Sequence, residues 1–211
     1  MISGAVGSLE ALLEWTPQTT TRLVALVCHP HPQYGGNMHN KVVFRAAKAA
    51  LQAGLPALRF NFRGVGKSQG AFAGGIGERE DVRAALDYLQ TRFPKVPVSL
   101  MGFSFGAWVG FAVGAADPRV RALVGLGVPT TSADMGFLRE VRKPKLIVQG
   151  MQDEFGPRHE IEALYHSLAE PKQIYWVRYA DHFFTEDLDE VQAVVRAFLV
   201  EVSRDISQLG E

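Results

Sequence analysis

The five residues Gly102-Phe103-Ser104-Phe105-Gly106 constrain this chain more than any other stretch. Ahead of them, Val96-Pro97-Val98-Ser99-Leu100-Met101 is short, apolar and punctuated by proline, the pattern of a buried strand. Behind them, residues 107–116 are rich in small side chains and read as a helix. A chain that passes from strand to helix through G-x-S-x-G makes a sharp turn, which pushes the serine towards strained φ/ψ and holds its hydroxyl above the sheet edge. Gly102 and Gly106 suit that turn because side chains there would collide with the neighbouring strand and helix. The helix N-terminus behind Ser104 offers unpaired N–H groups and a positive dipole end to a developing negative charge. Ser104 is therefore a candidate nucleophile.

The rest of the chain alternates in the same way. Residues 9–15 read as an early edge strand and residues 22–28 as a buried strand ending at His29. A loop then leads to a helix over 41–53, capped near Asn40 and stopped at Gly54. A strand over 56–62, a glycine-rich loop over 63–77 and a helix over 78–92 precede the G-x-S-x-G unit. Strands over 120–128, 145–149 and 173–177 follow it, with helices over 158–169 and 186–204. This alternation predicts a mainly parallel sheet with helices on both faces, in one domain over 1–211. Ligands of such sheets sit beyond the carboxyl ends of the strands.

A serine nucleophile needs a base and a group that orients it. His182, in Tyr179-Ala180-Asp181-His182-Phe183-Phe184, follows the last strand and so falls at the active edge, whereas His159 and His166 lie within a helical pattern. Asp153 ends Lys145-Leu146-Ile147-Val148-Gln149-Gly150-Met151-Gln152-Asp153, a strand running into a turn at the same edge. Glu154 would point away if Asp153 points in, and Asp181 adjoins His182 too closely in sequence to reach back to its ring. Ser104, Asp153 and His182 are the expected catalytic residues.

Gly102–Gly106, Gln149-Gly150-x-x-Asp153 and Asp181-His182 resemble the α/β-hydrolase superfamily, as does the chain order Ser104, Asp153, His182. Two further segments resemble small, lidless bacterial serine hydrolases related to the dienelactone hydrolase and cinnamoyl-esterase groups: residues 28–43, beginning Cys28-His29-Pro30-His31-Pro32, and Arg59-Phe60-Asn61-Phe62-Arg63-Gly64-Val65-Gly66-x-Ser68. The resemblance spans roughly residues 20 to 200 and implies a three-layer α/β-hydrolase fold with a minimal lid or none. It also implies an oxyanion hole built from the backbone N–H groups of Phe105 and His31. Pro30 replaces the glycine usual in that loop, and Pro32 has no N–H to give, so Gln33 and Tyr34 stand as alternative donors.

Composition narrows the class. Lys+Arg and Asp+Glu both total 22, so the net charge is zero and there is no long-range attraction for nucleic acid or an anionic membrane. One cysteine, Cys28, rules out an intrachain disulfide and fits a reducing compartment. The N-terminus lacks the pattern of a signal peptide, and no apolar run reaches the roughly 18 residues of a membrane span. A cytoplasmic location is expected.

Gly66-Lys67-Ser68 is a poor phosphate loop, because Asn61 stands where the cradle needs its first glycine and loop continues past Ser68. His29, His31 and His39 could suggest a metal, but alternate residues of an extended segment diverge and no carboxylate lies in the loop. No metal or cofactor is expected, and His29 is expected to be a structural hydrogen-bonder.

The gap between Pro129 and Pro144 is too short for a helical lid, which predicts an open pocket walled by Tyr34, Phe72, Met135, Phe137, Leu138 and Phe183. The resulting expectation is a carboxylesterase-like serine hydrolase acting on small carboxylic esters or thioesters through an acyl-enzyme. Peptidase, acyltransferase or C–C hydrolase chemistry on the same residues, and a non-catalytic binding protein of the same fold, are the alternatives. The sequence leaves open a homodimer and the identity of the substrate.

Overall fold

A computed structural model describes residues 1–16 and 22–208. Its elements in chain order are β1 (Ile2–Gly4), β2 (Gly7–Leu9), β3 (Ala11–Glu14), β4 (Val24–Cys28), α1 (Lys41–Gln52), β5 (Ala57–Phe60), α2 (Ile76–Arg92), β6 (Val98–Phe103), α3 (Phe105–Gly114), β7 (Val120–Leu126), β8 (Lys145–Gly150), α4 (Arg158–Ser167), β9 (Lys172–Val177) and α5 (Leu188–Gln208). Single 3₁₀ turns occupy Pro32–Tyr34 and Gly136–Leu138.

Seven strands form one sheet in the order β3-β5-β4-β6-β7-β8-β9, with β3 antiparallel and the others parallel. Parallel strands need crossover helices, and those helices cover both faces, so central strands become continuous apolar runs. Every residue of β4, β5, β6 and β8 is buried, whereas the edge strand β9 alternates half-buried and exposed. One face carries α1 and α5, packed on Ala25, Val27, Met101, Val124 and Val148. The other carries α2 and α3, with Ile161 of α4, over Leu26, Leu58, Leu100 and Leu123. Among the described residues, no helix is long and apolar enough to cross a membrane.

The edge strand expected over 9–15 divides in two. Gly7–Leu9 pairs with Ile2–Gly4 in a separate hairpin, and Ala11–Glu14 joins the large sheet. Glu10 is the divide. Its N–H donates to Ser68 Oγ, its C=O accepts from Asn61 N–H, and its carboxylate accepts from Lys67 N–H and Asn61 Nδ2. Ser68 in turn donates to Asn61 O at 2.7 Å. The Gly66-Lys67-Ser68 segment is thus a turn fastened to the N-terminal strands.

The register puts the strand ends in a row. Cys28 lies beside Gly102, Phe103 beside Leu126, and Gly150 beside Val177. The residues that follow β4, β6, β7, β8 and β9 therefore emerge along one rim of the sheet, and Ser104, Asp153, His182 and His31 lie there.

Candidate active site

Ser104 occupies the turn between β6 and α3 with φ 54° and ψ −121°. Its N–H donates to Leu126 O at 2.9 Å, and its C=O accepts from Ala107 N–H at 2.8 Å. The turn closes only because its glycines are bare. A Cβ on Gly102 would come within 2.3 Å of the Gly106 backbone, and one on Gly106 within 2.4 Å of Cys28 O. Helix α3 starts at Phe105, two residues earlier than the sequence pattern suggests, so the Phe105 N–H belongs to its unpaired first turn.

The rim brings the three expected residues together. Ser104 Oγ lies 2.9 Å from His182 Nε2, and His182 Nδ1 lies 2.8 Å from Asp153 Oδ2. The carboxylate can only accept, so Nδ1 carries the ring proton and Nε2 is free to accept from the serine hydroxyl. Asp153 is further held by Phe155 N–H (2.8 Å) and Gly156 N–H (3.1 Å) on Oδ1, and by Gln149 Nε2 (2.7 Å) on Oδ2. Asp153 and His182 are buried. Glu154 is exposed, and the Asp181 carboxylate turns to its own loop, accepting from Phe183 N–H. His159 and His166 are exposed on α4.

Beside Ser104 lies the loop after β4. Of the proposed backbone donors, Gln33 N–H donates to His31 Nδ1 (3.2 Å) and Tyr34 N–H to His31 O (3.1 Å). Among the described residues, the His31 and Phe105 N–H groups have no hydrogen-bond partner. Both alternatives to His31 are therefore already engaged. The two neighbouring histidines part company. His29 is buried under the loop, with Nδ1–H donating to Pro30 O (2.6 Å) and Nε2 accepting from Phe62 N–H (3.0 Å). Burial lowers its pKa to about 4. The His31 ring instead lies among Tyr34, Phe72 and Phe105, and partial burial lowers its pKa. Among the described residues, no group of three or more His, Cys, Asp or Glu is placed to hold a metal ion.

A cavity of about 710 Å³ opens over Ser104 and His182. Tyr34, Phe72 and Phe183 line it as expected, joined by Phe155, Trp108 and Pro129. Met135, Phe137 and Leu138 do not. The 3₁₀ turn at Gly136–Leu138 directs Leu138 inward, so that Leu138 and Met135 enter the core against α3, and Phe137 is left on the surface away from the cavity. Phe155 was not singled out from the sequence. Its ring lies 4.6 Å from that of His182, brought there by the turn that also holds Asp153. Gly127, also missed, has φ 54°, and a Cβ on it would sit 3.2 Å from the His182 ring.

A family model described as an alpha/beta hydrolase domain matches residues 25–192. The chain belongs to the α/β-hydrolase family. Two solved structures resemble this α/β hydrolase closely. An alpha-beta serine hydrolase homologue from Coxiella burnetii is 37% identical with TM-score 0.88, covering 93% of this chain and 94% of that one. A lidless serine hydrolase from Xanthomonas campestris is 32% identical with TM-score 0.86, covering 94% and 91%. An uncharacterized protein of Rickettsia prowazekii is 37% identical over 188 residues, 85% of this α/β hydrolase and 79% of the relative.

Proposed function

We propose that this α/β hydrolase is a serine esterase that cleaves small, uncharged carboxylic esters or thioesters through an acyl-enzyme. The observation that carries the reading is the relay from Ser104 Oγ through His182 to Asp153, with contacts of 2.9 and 2.8 Å. Ser104 attacks the acyl carbon while His182 Nε2 takes its proton, and Asp153 stabilises the imidazolium that results. The N–H groups of Phe105 and His31 would receive the oxyanion, a contribution worth about 2.7–4 kcal/mol for each donor. His182 then returns the proton to the leaving alcohol or thiol, and water repeats the sequence to release the acid.

The cavity supports the restriction to uncharged substrates. Among its lining residues there is no Asp, Glu, Lys or Arg. A substrate carboxylate would enter that space with no Lys or Arg to pair it, at a cost its neutral analogue does not meet.

The experiment is labelling with a fluorophosphonate probe alongside turnover of p-nitrophenyl acetate. The parent protein is expected to be modified at Ser104 and to hydrolyse the ester. Ser104→Ala should keep its fold, lose the label and lose turnover. Undiminished hydrolysis by a folded Ser104→Ala protein would remove the nucleophile assignment.

A further inference from the structure

Gln149 is the last residue but one of β8, fully buried, and reaches the loops that follow β7 and β8. Its Oε1 accepts from Val128 N–H at 2.8 Å, just beyond β7. Its Nε2 donates to Asp153 Oδ2 at 2.7 Å and lies 3.2 Å from Gly156 O. The amide has only one workable orientation, because the flipped form would set an oxygen against a carboxylate and an NH₂ against an N–H. The carboxylate oxygen that receives Gln149 is the same one that receives His182 Nδ1–H.

We propose that Gln149 is a positioning residue that tunes how strongly Asp153 holds the His182 imidazolium, through the shared Oδ2. This rests on the serine-esterase reading given above. Two donors divide the negative charge of one oxygen, so each draws less of it than it would alone. Gln149 therefore moderates the basicity of His182 while holding the carboxylate oxygen that faces the ring. Its anchor on Val128 N–H ties that setting to the residues just beyond β7, where Gly127 lies against the same ring.

Little else is placed to titrate the pair. Phe103, Phe155 and Phe183 are the rings around His182, and Gly127 lies against it just beyond β7. The nearest further carboxylates in sequence, Glu154 and Asp181, are exposed. A change at Gln149 thus reads out on His182 with little interference.

Two substitutions separate tuning from scaffolding. Gln149→Glu keeps the shape and the acceptor for Val128 N–H, but sets a second carboxyl against Asp153. With that carboxyl ionised, the added negative charge favours the imidazolium, so the ring loses its proton at higher pH; with one proton shared between the two carboxyls, the charge beside the ring is the parent's and the limb stays where it was. Gln149→Met removes the competing donor, which moves the ring in the same direction by less. A residue that only braces the fold would lower the rate without moving the pH at which it rises.

The test is the rate of inactivation by diethyl p-nitrophenyl phosphate, a neutral probe, from pH 4.5 to 8.5. Parent, Gln149→Glu and Gln149→Met proteins are compared, with Ser104→Ala as the control. The acid limb of the parent is expected to move up in Gln149→Met, and by about one pH unit or more in Gln149→Glu over the range where its new carboxyl is ionised. The melting temperature of Gln149→Glu should also fall further below the parent's at pH 8 than at pH 5, because the two carboxylates repel once ionised. An acid limb that the parent shares with Gln149→Met would overturn the role of Gln149 alone. A parent protein that the probe does not inactivate would instead defeat the serine-esterase reading.

Discussion

His29 Nε2 accepts the Phe62 N–H at 3.0 Å, and this bond ties the end of β4 to the residues after β5 directly beneath the loop that carries His31. It exists only while the imidazole is neutral, and burial keeps it neutral by lowering its pKa to about 4. An unfolded histidine takes up a proton near pH 6.5. Between these values the unfolded chain binds more protons than the folded one, so stability falls as pH falls from about 6.5 towards 4. The full loss is on the order of 3 kcal/mol. Urea unfolding at pH 7 and pH 4.5 should show it, and His29→Gln should flatten the difference. Equal slopes in the two proteins would assign the acid lability elsewhere.

Gly106→Ala should damage both the fold and the site. Its Cβ would lie 2.4 Å from Cys28 O and 2.5 Å from His29 O, backbone atoms that cannot rotate away. The strand end must retreat from α3, at a cost of about 1–3 kcal/mol for overpacking. The same retreat carries the His31 amide away from the Phe105 amide. Turnover of a p-nitrophenyl ester should then fall about 10²–10³-fold, as when an oxyanion donor is lost. A variant matching the parent in denaturation midpoint and rate would contradict this account.

Arg63 and Asp81 form a buried ion pair in which Asp81 Oδ1 and Oδ2 accept from the guanidinium at 2.7–3.1 Å and Oδ2 also accepts from the Arg63 N–H at 2.9 Å. Arg63→Met strands a buried carboxylate and should cost about 3–5 kcal/mol. Adding Asp81→Asn should recover part of that loss, because the amide oxygen can still serve the backbone N–H at 63 without a charge. A double variant less stable than Arg63→Met alone would show that the pair is not the reason for the first loss.

The uncharged cavity predicts a charge preference and a size limit. Between p-nitrophenyl butyrate and the p-nitrophenyl hemiester of succinate, kcat/KM should favour the neutral acyl group by at least about tenfold, since an unpaired carboxylate costs more than about 1.4 kcal/mol to bury. In an acyl chain-length series the maximum should fall below ten carbons. A preference for the hemiester, or a peak at ten or more carbons, would refute the substrate class.

Most strands were legible because parallel strands covered on both faces become unbroken apolar runs, as Val24–Cys28 and Val98–Phe103 do. The meeting of Ser104, Asp153 and His182 was legible because each follows a strand whose carboxyl end lies on the same rim. The cavity wall was less so. Met135, Phe137 and Leu138 are apolar residues between two strands, and nothing along the chain says whether such residues face a mouth or a core; the 3₁₀ turn decides it. Phe155 and Gln149 act through contacts that exist only once β7, β8 and β9 are side by side. The first hairpin was hidden because Glu10, the divide between its second strand and β3, is held by Asn61, Lys67 and Ser68, far away in sequence.

The tethering of Met135 and Leu138 in the core leaves the segment between β7 and β8 only Pro129, Ser132 and Ala133 at the cavity wall, and no helix to roof it. For the proposed chemistry, bulk solvent then reaches the acylated serine without waiting for a door to swing. Water, present in vast excess, then has the advantage of concentration over a dilute alcohol or amine that the cavity does not bind. The same openness removes any reason for activity to jump when a substrate passes from dissolved molecules to droplets.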